Sequence, residues 1–147
     1  MTDHLLLFED LVRLETSLWN QLDVALKDAE GLTLAWLLPL RVLDAAPGSR
    51  VLDLAQVLGI SPGGASKLVD RLVGAGLVSR APDQDDRRAS RLHLTPDGRR
   101  AASAGSATSE QWLERWFGEA LGVPATTRLA GLAGTIRTQS PGRAGVA

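Results

Sequence analysis

Apolar residues recur every three or four positions over residues 5–29, the spacing that predicts an amphipathic α-helix. This helix would carry two adjoining apolar stripes, made of Leu7, Leu11, Leu14, Leu18 and Leu22 on one side and Leu5, Phe8, Val12 and Trp19 on the other. A surface helix needs a single stripe to reach its core. We therefore expect one stripe to pack inside the protein and the other against a partner chain, with Gly31 ending the helix.

Shorter elements follow this first helix. Thr33 can cap a helix over residues 34–46, because a threonine hydroxyl accepts hydrogen bonds from the first helical N–H groups. The segment 50–52 predicts a very short strand, after which another helix begins at Asp53. Gly59 would end that helix, since glycine is the usual residue just past a helix C-terminus.

A second short helix and a hairpin complete the pattern in the middle of the chain. Ser61 and Pro62 predict the helix start, with serine as the N-cap and proline at the first helical position. Residues 77–80 and 90–94 predict two strands separated by a polar turn. Two short helices followed by a hairpin make a winged helix-turn-helix. The predicted fold class is mainly α with a small β-hairpin wing.

The last third of the chain predicts helices that are rich in exposed apolar residues. Thr95 and Pro96 begin a long helix that reaches Leu121, and Pro124 begins a final helix. So much apolar surface exceeds what a monomer of this size covers, which predicts a homodimer. Its contacts would come from Leu5, Phe8, Leu11, Leu129, Leu132 and Ile136. The organisation is a winged core over 33–100, dimerisation helices over 1–30 and 101–138, and a flexible tail over 139–147.

Composition excludes several kinds of site. The 147 residues include no cysteine, which removes disulfides, thiol switches and thiolate metal sites, and His4 and His93 lie too far apart to suggest a metal site. The run from Gly59 to Lys67 lacks the Gly-Lys-Ser/Thr ending of a phosphate loop. We therefore predict no enzyme, no metal and no cofactor. No apolar run could span a bilayer and no leader precedes the first helix, which predicts a cytoplasmic protein without membrane contact.

Charge is unevenly distributed although the net charge is only −1. Residues 1–49 contain eight acidic and three basic residues, whereas residues 61–100 contain five acidic and eight basic residues. An acidic front and a basic middle would orient the protein on a polyanion. The second short helix and the wing, both in the basic segment, are therefore the candidate binding surface.

The sequence of this segment resembles the multiple-antibiotic-resistance regulator (MarR) family over about residues 50–100. The resemblance lies in Asp53-Leu54-Ala55, Leu58-Gly59-Ile60-Ser61, Ser66-Lys67-Leu68-Val69-Asp70-Arg71-Leu72 and Gly76-Leu77-Val78, in the wing from Arg80 to Arg88, and in Leu94-Thr95-Pro96-Asp97-Gly98. It implies a dimeric transcriptional regulator, expected to be a repressor, on a pseudo-palindromic double-stranded DNA operator. One helix of each chain would enter the major groove and each wing the minor groove.

The expected DNA contacts come from the exposed face of the second short helix and from the wing. They are Ser61, Gly63, Gly64, Ser66, Lys67 and Arg71 on the helix and Arg87 and Arg88 on the wing, and Arg50, before the first short helix, is a further expected contact. By the resemblance Arg88 enters the minor groove and Asp86 supports the wing. The family more often has side chains where this chain has Gly63 and Gly64; the two glycines are either tolerated in a first helical turn or admit DNA closely.

The resemblance also suggests that a small aromatic ligand releases the DNA. The candidate pocket lies where the first, second and fifth helices meet and uses Trp19, Trp36 and Arg41. An alternative function remains, because the winged fold does not fix the partner: a protein-interaction or RNA-binding module without preference for any duplex sequence. A salt-sensitive shift of duplex DNA distinguishes the two.

Overall fold

A computed structural model describes residues 2–86 and 88–139, and the predicted tail over 139–147 lies outside them beyond Gln139. The helices are α1 (His4–Glu30), α2 (Leu34–Ala45), α3 (Val51–Leu58), α4 (Pro62–Gly74) and α5 (Pro96–Gln139), and the strands are β1 (Val78–Pro82) and β2 (Ser90–Leu94). The strands pair antiparallel, with Val78 opposite Leu94 and Pro82 opposite Ser90. The predicted mainly α fold with a hairpin wing is confirmed.

Helix α1 changes environment along its length. Its second half reaches the core, where Leu22 and Leu26 are buried. Its first half contacts little else: Leu5, Phe8 and Leu11 are exposed to 68%, 61% and 51%. The expectation that one stripe packs inside and the other outside is therefore wrong for this half. Both stripes are uncovered there, because the rest of the chain packs only against the later turns.

Helix α2 begins at Leu34 as predicted, with Thr33 as its N-cap residue, but the threonine hydroxyl makes no capping hydrogen bond. The N–H of Leu34 instead donates to Oδ1 of Asp23, on α1, at 2.6 Å. An ionised carboxylate is a stronger acceptor than a hydroxyl, and this one also ties two helices together. The side chain that accepts a hydrogen bond at the start of α2 is therefore that of Asp23 and not, as predicted, that of Thr33.

The predicted strand over residues 50–52 is also wrong. Val51 already lies in α3, and the Arg50 N–H donates to Oδ2 of Asp53 at 2.8 Å, which fixes the helix start. The strand-like pairing falls one residue earlier, where Ser49 forms an isolated bridge with Leu92. A carboxylate at the third helical position satisfies a free N–H at the helix start, and this outweighs the apolar character of the segment.

The core lies where α1, α2 and α5 meet the helix-turn-helix and the sheet. Its fully buried large side chains include Leu26, Leu37, Leu40, Leu43, Leu54, Leu72 and Leu92. Gly122, with φ 72° and ψ 165°, interrupts α5, in agreement with the predicted helix boundary before Pro124. Over residues 2–86 and 88–139, none of the helices combines the length and apolar character needed to cross a membrane.

Candidate nucleic-acid interface

Helix α4 presents a basic face to solvent. Its start is fixed as predicted, since the Gly64 N–H donates to Oγ of the N-cap Ser61 at 3.1 Å. The opposite face of the helix is buried and contains Ala65, Val69 and Leu72. Lys67 and Arg71, one turn apart, are exposed, and neither makes an ion pair within the described part of the chain.

The first turn of α4 leaves one backbone donor available. Pro62 has no N–H and the Gly64 N–H is used by Ser61, so the N–H of Gly63 remains without an acceptor among residues 2–86 and 88–139. A Cβ at Gly63 would meet nothing within 4 Å, whereas one at Gly64 would lie 3.1 Å from Oγ of Ser61. The helix N-terminus is therefore open, and Gly63 lies at its most accessible point.

An ion pair connects α4 to the wing. Nη2 of Arg80 on β1 lies 2.7 Å from Oδ1 of Asp70 on α4, and Nη1 of Arg80 donates to Oγ of Ser90 on β2 at 3.3 Å. The guanidinium of Arg80 is thus used within the protein. Asp70 remains two-thirds exposed, so this is a surface ion pair.

A second, buried cluster lies at the base of the wing. Asp83 has no exposed side-chain surface, and its Oδ2 lies 2.7 Å from Nη2 of Arg50, 2.8 Å from Nε of Arg50 and 2.8 Å from Nε of Arg91. Its Oδ1 accepts the N–H of Asp85 at 2.9 Å. Both carboxylate oxygens are therefore occupied by donors from the same chain.

These contacts stabilise the ionised form of Asp83. The hydrogen bond from the Asp85 N–H lowers the pKa of Asp83, and the guanidinium groups of Arg50 and Arg91 lower it further against the opposing effect of burial. Conversely, the hydrogen bond to Asp83 and its negative charge raise the pKa of Arg50. The cluster is thus an ion pair at neutral pH.

Sequence reasoning missed this cluster. Asp83 was not singled out in the polar turn, where Asp86 was expected to support the wing, and Arg50 was expected to contact DNA. In the structure two nitrogens of Arg50 bind Asp83 and its side chain is about a third exposed. The weak signal available was the presence of three acidic residues within four positions of a loop that should approach a polyanion.

Asp86 accepts two backbone hydrogen bonds at the tip of the wing. Oδ1 of Asp86 accepts the N–H of Arg88 at 2.9 Å, and the Asp86 carbonyl accepts the N–H of Ala89 at 3.0 Å, which closes the turn. Arg88 is exposed. Arg87, the other predicted wing contact, lies outside the described residues.

The predicted dimer contacts all lie on exposed apolar surface. Besides the residues of α1, Leu129, Leu132 and Ile136 after the break in α5 are 37%, 58% and 64% exposed. Leu121 and Val123 extend this face at 44% and 76%. The first half of α1 and the final helical segment thus remain uncovered within one chain.

The three residues predicted to line a ligand pocket are not brought together. A cavity of about 340 Å³ between α1 and α2 is lined by Trp19 with Leu11, Leu14, Leu18, Leu22, Leu34 and Glu15. Trp36 packs against the core instead, and Arg41 is exposed on α2. The cavity is apolar, and Glu15 is the charged residue of its lining.

Comparison with known proteins identifies relatives of this arrangement. The model of the MarR family matches residues 30–89, and no curated protein matches the chain. The transcriptional repressor CouR, in a structure bound to a 23-mer DNA duplex, is 28% identical, with a TM-score of 0.79 over 87% of this chain and 89% of that one.

Two further solved structures share the fold. The transcriptional regulator BldR from Sulfolobus solfataricus has a TM-score of 0.78 at 20% identity, covering 94% of this chain and 99% of that one. A mutant MarR from E. coli complexed with operator DNA has a TM-score of 0.75 at 23% identity, covering 92% and 99%. The structural similarity to these two proteins extends over nearly the whole chain.

Proposed function

We propose that the chain belongs to the MarR family, whose model matches residues 30–89, and that it is a homodimeric transcriptional regulator that binds double-stranded DNA with sequence preference. Helix α4 would lie in the major groove and the wing in the minor groove. We propose that it represses transcription, as the repressor CouR does. A cytoplasmic location follows from this role.

The observation that carries the proposal is the contrast between occupied and unoccupied basic side chains. Arg50, Arg80 and Arg91 bind carboxylates of the same chain. Lys67 and Arg71 are exposed without an ion pair within the described residues. The protein has a net charge of −1, yet these two basic side chains on one helix face are not neutralised by any carboxylate in the described part of the chain. They can therefore bind DNA phosphates and the edges of bases.

Dimerisation is supported by the uncovered apolar faces of α1 and of α5 after Gly122. A two-fold axis through these faces would relate the two α4 helices of the dimer by symmetry. To reach half-sites one DNA turn apart, the two helices would have to lie about 34–36 Å from each other. The predicted pseudo-palindromic operator follows from this symmetry.

The proposal also includes release of the DNA by a small aromatic ligand. The cavity of about 340 Å³ beside Trp19 has a suitable size and an apolar lining. It does not include Trp36 or Arg41. An effector would therefore be recognised by shape and apolar contact near Trp19, and we place no ion pair with Arg41 in the site.

Selection from random duplexes, followed by titration of the selected and a scrambled duplex at three salt concentrations, tests the function. Lys67→Ala should weaken binding to the selected duplex by about 1–3 kcal/mol and relax its preference if Lys67 contacts a base. Arg88→Ala should weaken both duplexes and flatten the salt dependence by about 0.9 per subunit.

Arg100→Lys, which alters an exposed ion pair with Asp97 at the start of α5, is the matched control and should bind like the wild type. Equal losses on both duplexes for Lys67→Ala would make Lys67 a phosphate contact. If the wild-type chain selects no duplex, the proposal fails, and a protein-interaction or RNA-binding module becomes the better hypothesis.

A further inference from the structure

The buried cluster at the base of the wing joins three segments that are distant in sequence. Arg50 lies at the start of α3, Asp83 follows β1, and Arg91 lies on β2. Its members are committed to one another: Arg91 binds Asp83 through Nε, the Gly48 carbonyl through Nη1 at 3.2 Å, and the Asp85 carboxylate through Nη2 at 3.9 Å. Because the Asp83 carboxylate and the two guanidinium groups bind one another, they can hold these three segments in a fixed arrangement.

The cluster is also the connection between the wing loop and the helix-turn-helix. The other hydrogen bonds of the described loop residues 83–86 and 88–89 stay inside the loop, as in Asp83 N–H to the Ala89 carbonyl at 3.3 Å. Within that part of the chain, the polar contacts that leave the loop are made by Asp83 and Asp85. The strands place the base of the wing, since Leu92 on β2 pairs with Ser49, and the cluster adds the side-chain contacts that hold the loop itself against α3.

We propose that Arg50, Asp83 and Arg91 form a latch that holds the wing loop against α3 and so positions Arg88 on the DNA. This inference rests on the proposed function, because it concerns how the wing reaches its groove. Arg50 is then a positioning residue, and the fork geometry of its guanidinium matters more than its charge. Its sequence-based assignment as a DNA contact is replaced by this role.

Arg50→Lys separates geometry from charge, because lysine keeps the positive charge but cannot bind a carboxylate with a planar fork. In the free protein we expect faster amide hydrogen exchange at Asp85 and Ala89 in the variant, with exchange in α2 unchanged. Arg100→Lys, which alters the exposed arginine–carboxylate pair with Asp97, is the control and should change neither region. Unchanged exchange in the wing of Arg50→Lys would overturn the latch.

A double-mutant cycle tests whether the latch acts through Arg88. In the wild-type background Arg88→Ala should weaken the selected duplex by a clear factor, and in the Asp83→Asn or Arg50→Lys background by much less, because Arg88 is no longer positioned there. Arg50→Lys alone should weaken binding by roughly tenfold, since an arginine fork is not replaced by lysine.

The same loss for Arg88→Ala in every background would overturn the proposal. Arg50→Lys keeps the test available if Asp83→Asn does not fold. Failure of the wild type to bind any duplex would remove the proposed function, and the exchange experiment would still decide whether the latch holds the wing.

Discussion

The two halves of α1 have the same leucine spacing and opposite surroundings. Leu26 has no exposed surface, whereas Leu11, four turns earlier along the same helix, is 51% exposed. The second half is covered by α2 and α5 of its own chain. The first half is left for something else to cover.

The same contrast extends to the polar surfaces. At the wing base Asp83 is fully buried with both oxygens bound, while Lys67 and Gly63 on α4 face open solvent. Some side chains of the molecule are thus buried or bonded within the chain, which we call closed sites, and others are exposed without a partner among the described residues, which we call open sites. We assign the open sites to the partner chain and to DNA. Each prediction below tests one closed or open site.

The largest effect should come from placing charges on the open apolar face. The double variant Phe8→Glu with Leu132→Glu puts two carboxylates per chain at positions 61% and 58% exposed in the single chain. If a partner chain covers them, burial of unpaired charges should weaken the dimer by several kcal/mol and give a monomer at about micromolar concentration. Sedimentation velocity measures the change.

Val57→Glu is the matched control for this experiment, because Val57 is equally exposed at 67% but lies on α3. It should leave the oligomeric state unchanged. A double variant that still sediments as a dimer would show that these faces do not form the interface.

The next effect concerns the closed half of the same helix. Leu26→Ala removes a fully buried side chain and should lower the free energy of unfolding by about 2–5 kcal/mol. In the monomeric background, Leu11→Ala should change it by no more than about 0.5 kcal/mol, because its site is open there. Urea unfolding of the two variants gives the comparison, and similar losses would contradict the division of α1.

The elements of the fold could be predicted because their signals are local. Gly31 ends α1 with φ 64° and Ser61 caps α4, and both positions follow from residue type alone. The strand over 50–52 failed since the competing signal, the carboxylate of Asp53 on the Arg50 N–H, lies just past it. The hydrogen bond that the Leu34 N–H donates to Asp23 was missed because Asp23 lies eleven residues earlier, outside the range of local capping patterns.

The candidate site was predicted in outline but not in its connections. The exposed positions of Lys67 and Arg71 follow from helical periodicity, because Ala65, Val69 and Leu72 fix the buried face. That Arg50 binds Asp83, 33 residues away, depends on how the hairpin folds back on α3. Periodicity likewise predicts an apolar stripe on α1 without saying what covers it.

A smaller effect is expected from acid, through the closed cluster. The pKa of Asp83 is lowered in the folded protein, mainly by the Asp85 N–H and then by Arg50, so its contribution to stability is complete above its unfolded pKa of about 3.9. This contribution is lost as the pH falls through the lower folded pKa. Asp83→Asn should therefore lower the melting temperature at about pH 7 and differ progressively less from the wild type below about pH 4.

Asp70→Asn provides the open counterpart, since its ion pair with Arg80 leaves Asp70 66% exposed. Exposed pairs contribute about 0–1 kcal/mol, so this variant should melt close to the wild type at neutral pH. Melting curves over a pH series compare the two aspartates. A constant difference between Asp83→Asn and the wild type down to acid pH would contradict the ionised cluster.

The smallest effect concerns the open N-terminus of α4. A Cβ at Gly63 meets nothing within 4 Å, so Gly63→Ala should stabilise the free protein by about 0.4–1 kcal/mol by restricting the unfolded chain. At Gly64 the new Cβ would lie 3.1 Å from the Ser61 hydroxyl that caps the helix, so Gly64→Ala should gain less. If the glycines admit DNA closely, Gly63→Ala should also weaken the selected duplex, because the added methyl group separates the Gly63 N–H from a phosphate. Thermal melting and duplex titration of both variants distinguish the two readings of these glycines. A Gly63→Ala protein that is more stable and binds DNA as tightly as the wild type would mean that the glycine is merely tolerated there, and that this open surface is not matched to DNA.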